Sequence, residues 1–312
     1  MKKLGTYSSA LLMMLLCSCG VSKMQVDMVQ NLALKSDTIT HSPVQIFVNM
    51  QQVNRERGLY YAASLSSPSL HVNELESMVK TNAQNITAQN KAQTYVLALN
   101  SYCRALRNLS SETRWKQIGT ELRGLGNKTD SVILYLNKSD WMDKTVPEGY
   151  ARLSGRYSGW IAQRYMKVRQ KKALVQFVTE SDTLVSVCTE ALIDVLKSPE
   201  LDALLANERE GLKDNYTAYL QYLERSGAVN LIENDKLFID LYSKSANAEK
   251  IRTNCVSALR YFAKAHHNLA LRLLGDGSKK NKRKDRIEQL KDIADDLATL
   301  SLYTKQLIEL ID

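Results

Sequence analysis

What most limits the folds open to this chain is where its helix breakers fall. Its four prolines sit in helix-starting signatures: Ser42-Pro43, Ser67-Pro68, Val146-Pro147-Glu148 and Ser198-Pro199-Glu200. Proline suits the first helical position, where its missing N–H would be unpaired anyway, and breaks a helix further in. On this reading every proline starts a helix and none lies inside one. Only 13 glycines divide the rest of the 312 residues. Between the breaks, apolar residues recur at steps of three and four, the spacing of one helical face. The chain is expected to be all-α, an elongated bundle of long antiparallel amphipathic helices.

Taken in order, the pattern predicts a first helix from Ser42-Pro43 towards Tyr61 and a second from Leu70 to Leu109. A shorter one follows from Ser110 to about Arg123, then another over Asp130 to Lys138. Pro147 to Lys197 reads as one very long helix, with Leu174, Phe177, Ser181, Leu184, Cys188, Ala191 and Val195 as its seam. Leu201 to Leu223 comes next, closed by Arg225-Ser226-Gly227. Asp235 to Leu274 carries Leu241, Ala248, Ile251, Cys255, Ala258, Phe262, Ala265 and Leu269 on the same rhythm. Past a basic loop, Ile287 to Ile311 is the last helix.

One internal echo stands out. Ala98-Leu99, Tyr102, Ala105 and Asn108-Leu109 match Ala258-Leu259, Phe262, Ala265 and Asn268-Leu269 at a constant offset of 160 (258 − 98). A duplication explains this, and so does the small alphabet of bundle cores.

The first residues carry a different signal. Met1-Lys2-Lys3 is followed by an apolar run from Ala10 to Leu16, too short to span a bilayer, and then by Leu16-Cys17-Ser18-Cys19. This resembles the lipobox of bacterial lipoproteins, with Leu three residues before the cysteine and a small residue just before it. The resemblance covers the signal region alone, and no family resemblance extends into the mature chain. It implies that residues 1–18 are removed, that Cys19 is acylated and that its acyl chains hold the protein to a membrane. Residues 19–41 are expected to be a lipidated tether and 42–312 a helical domain, with possible halves at 42–146 and 147–312. Gly20-Val21-Ser22-Lys23 has neither the Asp nor the acidic cluster that redirects such proteins. The expected location is therefore the outer membrane, facing the periplasm, with the cell surface as the alternative.

Loss of residues 1–18 removes Lys2 and Lys3 and lowers the formal charge from +9 to +7 (9 − 2). Residues 104–172 hold 15 Lys and Arg against 6 Asp and Glu, and residues 173–249 hold 6 against 14. Either the two blocks pack as antiparallel helices, or the basic one faces anionic lipid or glycan. Nucleic acid is not an expected partner in the envelope. Cys103, Cys188 and Cys255 are too few and too widely spaced for a disulfide framework, which leaves one bridge or three buried thiols.

No catalytic fingerprint appears, and neither an enzyme activity nor a cofactor is expected. Adjacent helical residues point about 100° apart, so His266 and His267 are poorly placed to chelate one ion, and one should pack while the other stays wet. His71 and Glu74 share a face without a second such pair, and His41 stands apart, so no metal is expected. The candidate binding face is Tyr150, Arg152, Arg156, Tyr157, Trp160, Arg164 and Tyr165, residue types that dominate interfaces and suit glycans. The same residues also serve as core and as cations for the acidic block. Tyr216, Tyr219 and Tyr222 form a second aromatic row. Lys279, Lys280, Lys282, Arg283 and Lys284 are a candidate contact with an anionic surface, or a solvated loop.

Together these features point to a non-catalytic, lipid-anchored helical scaffold or accessory protein that binds a protein partner in the bacterial envelope. The alternatives are a small-ligand or glycan-binding lipoprotein using residues 149–172, and a toxin-neutralising or membrane-active helical protein.

Overall fold

A computed structural model describes residues 23–81, 87–110, 130–131, 133–134, 174–274 and 283–311. Among these residues all regular structure is helical. The elements are α1 (Lys23–Ser64), α2 (Pro68–Thr81), α3 (Thr87–Ser110), α4 (Asp182–Leu196), α5 (Pro199–Ser226), α6 (Ile232–Leu274) and α7 (Arg283–Ile311). No described helix is long and apolar enough to cross a membrane.

Helix α1 is the hub, packing against α2, α3, α5, α6 and α7, while α4 closes the opposite side against α3 and α6. Side-chain pairs fix the directions. Gln51 bonds Gln89, and Arg107 bonds the Ala33 carbonyl, so α3 runs antiparallel to α1. Tyr60 bonds the Asn234 carbonyl and Lys244 bonds Gln52, so α6 does the same. Asn54 and Arg57 both reach Glu208, and Asn215 reaches the Arg57 carbonyl, which sets α5 parallel to α1. At Gly58 an added Cβ would stand 2.8 Å from the Met78 sulfur, so the absence of a side chain lets α2 fold back closely onto α1.

A continuous core runs through the bundle. The echoed segments occupy comparable places in it: α3 and α6 both pack against α1 and α4, and Ala98, Leu99, Tyr102, Ala105 and Leu109 are buried like Ala258, Leu259, Phe262, Ala265 and Leu269. The seams read from sequence hold Leu184, Cys188, Leu241, Ile251, Cys255, Ile293, Leu300 and Leu307 in the core.

Helix ends follow local chemistry where the signals were strong. Ser198 accepts from the Leu201 N–H, Pro199 occupies the first turn with Glu200 and Asp202, and Gly227 ends α5 at φ 70°. The Gly227 N–H bonds the Glu224 carbonyl and the Ala228 N–H that of Leu223, a Schellman closure.

Three expectations need correction. Pro43 does not start a helix but lies inside α1, a single helix of 42 residues. The stretch expected to be a tether up to residue 41 is therefore helix from Lys23 onward. Met28, Val29, Leu32, Ala33 and Ile39 before the proline, and Ile46, Phe47, Met50 and Val53 after it, are all buried in the same core, and this burial outweighs the proline's lost hydrogen bond. Hydroxyls around it turn back onto backbone carbonyls, Ser36 to Ala33, Thr40 to Ser36 and Ser42 to Thr38. Second, the long helix expected to end at Lys197 is interrupted at Ser181, between a helical run over 174–180 and α4. Third, Arg283 and Lys284 are not loop residues but open α7. Periodicity marks a buried face and is blind to a terminal turn that precedes it. The helix expected over Leu70 to Leu109 is present in its described parts as α2 and α3, and the one over Asp130 to Lys138 is helical at its described residues.

Candidate functional site

The candidate face of Tyr150, Arg152, Arg156, Tyr157, Trp160, Arg164 and Tyr165 lies outside the described residues, as do Cys19, Lys279, Lys280 and Lys282. Two other places in the bundle gather polar chemistry or expose apolar surface.

The first is a carboxylate shared by two histidines. Asp182 is the first residue of α4, beyond the interruption at Ser181. On α6, His266 falls on the buried face with Phe262 and Leu269, and His267 falls on the flank, so the two rings are fully buried and 56% exposed. They nevertheless meet: His266 Nδ1 lies 2.9 Å from Asp182 Oδ1 and His267 Nδ1 2.7 Å from Oδ2. An ionised carboxylate only accepts hydrogen bonds, so both rings present Nδ1–H to it. That leaves His266 Nε2 as an acceptor, and the Tyr102 hydroxyl donates to it at 2.6 Å. Tyr102 is itself stacked on Phe177, centroids 5.4 Å apart. The chain from Tyr102 to His267 thus ties α3, α6 and α4 together.

Burial lowers the His266 pKa, against the opposing pull of the Asp182 hydrogen bond and charge. For Asp182, burial acts to raise the pKa, but the hydrogen bonds from the two histidines prevail and hold it below its ordinary value. A groove of about 410 Å³ opens beside them, lined by Asp182, Thr183, Ser186, Val187, Ala263, Lys264 and His267. Lys264 is turned away to Asp296 on α7, at 2.7 Å. An oriented His–Asp pair is one component of nucleophilic triads. Among the described residues, however, no hydroxyl or thiol is bonded to His267 Nε2, and Ser186 donates to Glu190 instead. What the arrangement does chemically is clamp three helices. The expectation that one histidine packs and the other stays wet holds, although their convergence on one carboxylate was not foreseen. Among the described residues no group of three or more His, Cys, Asp or Glu side chains could hold a metal ion. Cys103, Cys188 and Cys255 are free and buried.

The second place is the turn between α5 and α6, at the end of the bundle where α1 finishes. Polar side chains here point inward. Asp235 accepts from the Tyr216 hydroxyl and, at 2.9 Å, from Asn230, while Asn234 donates to the Tyr219 hydroxyl at 2.9 Å and to Asn230 at 3.1 Å. Tyr60 from α1 seals the Asn234 carbonyl at 3.0 Å. The Tyr216 ring lies 4.6 Å from Phe238 and 4.8 Å from Tyr60, and its pKa is pushed up to about 12, by burial first and then by the bond to Asp235. Two members of the Tyr216, Tyr219 and Tyr222 row thus belong to an aromatic cluster that pins the turn. Apolar side chains point outward instead: Val229 is 85% exposed, and Leu231, Ile232 and Ile239 are each more than 60% exposed.

No protein family, curated protein or solved structure matches this chain.

Proposed function

We propose that this protein is a non-catalytic, lipid-anchored helical scaffold of a bacterial envelope, held at the outer membrane by acyl chains on Cys19, and that it works by binding a protein partner. What supports this reading is α1. It begins at Lys23, only four residues after Cys19 (23 − 19), and it packs against five other helices. An anchor joined so closely to the hub of the fold would hold the whole bundle in a fixed relation to the membrane. At 1.5 Å per residue the 42 residues of α1 extend about 63 Å, which sets the α5–α6 turn well away from the lipid.

Chemical cross-linking in intact cells tests the proposal, with Cys19→Ala as the comparison. The anchored protein should fractionate with membranes and trap a discrete partner, and the variant should lose both. A variant that stays with the membrane and traps the same species would overturn the lipid-anchored reading.

A further inference from the structure

We infer that the α5–α6 turn is a docking surface for a cationic amphipathic helix of a partner protein, an inference that rests on the partner-binding reading above and gives the partner its chemistry.

Polarity at this turn is the reverse of what folding alone favours. Asn230, Asn234 and Asp235 are consumed in bonds to Tyr216, Tyr219 and one another, while Val229, Leu231, Ile232 and Ile239 stand in solvent. Polar side chains of a solvated turn bond water readily, so the inward network is not needed to satisfy them. Its effect is to fix the conformation in which the aliphatic groups face out. Docking onto such a surface involves little further ordering, a cost that otherwise weakens loop interfaces. Ile232 and Ile239 are seven residues apart, two turns on one flank of α6, and with Val229 and Leu231 they form a continuous apolar strip.

The charge around the strip selects the occupant. Residues 220–240 hold Glu224, Glu233, Asp235 and Asp240 against Arg225 and Lys236, a balance of −2 in a chain of net charge +9. Arg225 turns its Nε to the Gln221 carbonyl of its own helix, and Lys236 stands 3.9 Å from Glu233. The rim therefore attracts cations and opposes anionic lipid. A second copy meeting tip to tip would set acid against acid. Four side chains of this size also present a patch on the order of 400 Å², about half of what each side of a stable folded interface buries. A single helix with apolar anchors on one face and Lys or Arg beside them matches both the area and the charge.

The test uses the full mature chain carrying Cys19→Ala and two fluorescent 18-residue helical peptides with the same leucine stripe, one flanked by Lys and the other by Glu. Binding is followed by anisotropy. The Lys peptide should bind at micromolar concentration, and the Glu peptide at least tenfold more weakly. Leu231→Ser combined with Ile232→Ser should weaken the Lys peptide at least tenfold, whereas Leu302→Ser, an exposed position on α7, should not change it. Both tip residues already face solvent, so thermal melting should be unaltered and the loss cannot be ascribed to unfolding. Equal binding by the double variant, or equal binding of the two peptides, overturns the inference. So does tip-dependent sedimentation with phosphatidylglycerol vesicles, or self-association that the double variant abolishes. If the tip fails while the anchored protein still traps a partner in cells, the scaffold reading stands and the partner docks elsewhere.

Discussion

His266 and Asp182, 84 positions apart in sequence, meet at 2.9 Å in the bundle, and the other ring nitrogen of His266 takes the Tyr102 hydroxyl at 2.6 Å. A buried ring with both nitrogens engaged is held neutral, and the fold then becomes sensitive to acid. His266 has a folded pKa below its unfolded value of about 6.5, so the unfolded chain binds its proton first as pH falls. Stability is therefore fully present above about pH 6.5 and declines below it, towards the lowered folded pKa. Asp182 acts in the same direction at lower pH: its pKa is depressed, so its contribution is present above its unfolded value of about 3.9 and is lost as pH falls through the folded one. Urea midpoints should fall between pH 7.5 and 5, and His266→Gln should flatten that slope. An unchanged slope in the variant would show that His266 does not set it.

Tyr102→Phe should cost about 1–3 kcal/mol, because it leaves His266 Nε2 buried without a donor. The same substitution spares the stacking on Phe177, so the loss should be smaller than the roughly 3–5 kcal/mol of removing the ring with Tyr102→Ala. Chemical denaturation of the two variants separates the hydrogen bond from the packing.

Much of this architecture was written in local signals. Ser198-Pro199 and Gly227 delimit α5 because capping involves only neighbouring backbone, and Leu241, Ile251 and Cys255 declare a core face by spacing alone. Pro43 misled because its tolerance depends on how much apolar surface α1 buries on either side, and no nearby residue records that. The clamp was half legible. The divergence of His266 and His267 could be read from helical geometry, but Asp182 as their common partner could not, since two oxygens of one carboxylate span what a single ion would not. At the α5–α6 turn, Val229, Leu231 and Ile232 look like core residues, and only the inward-facing network shows that they are left outside.

Glu208 is buried on α5 and is gripped by Arg57 at 2.6 Å and Asn54 at 2.8 Å, both from α1. Removing one partner of such a pair strands a charge in the core, so Arg57→Met should destabilise by about 3–5 kcal/mol. Adding Glu208→Leu should recover most of that loss, since an apolar pair of similar volume avoids the desolvation. Non-additivity in a double-mutant cycle is the expected reading, and simple additivity would show that the two side chains act independently.

The three buried thiols provide a test of packing. Burial pushes the Cys188 pKa up to about 12 and that of Cys255 higher still, so neither is a thiolate at neutral pH. Cys103 is equally enclosed. The folded mature chain should be almost inert to a thiol reagent at pH 8, and all three should react together once guanidinium unfolds it. Rapid reaction of one thiol in the native state would mark a helix that opens separately from the rest.

Pro43 gives the last test. Inside α1 it cannot donate to the Ile39 carbonyl, and its ring crowds the preceding turn, which in a helix interior costs about 3 kcal/mol. Pro43→Ala restores the donor and relieves the crowding, while the unfolded chain gains about 0.4–1 kcal/mol of freedom that offsets part of the benefit. The variant should be more stable by about 2 kcal/mol in urea. A destabilised Pro43→Ala would mean that α1 needs its bend at this point, with Leu32 and Ile39 on one side and Ile46 and Phe47 on the other reaching their places in the core only through it.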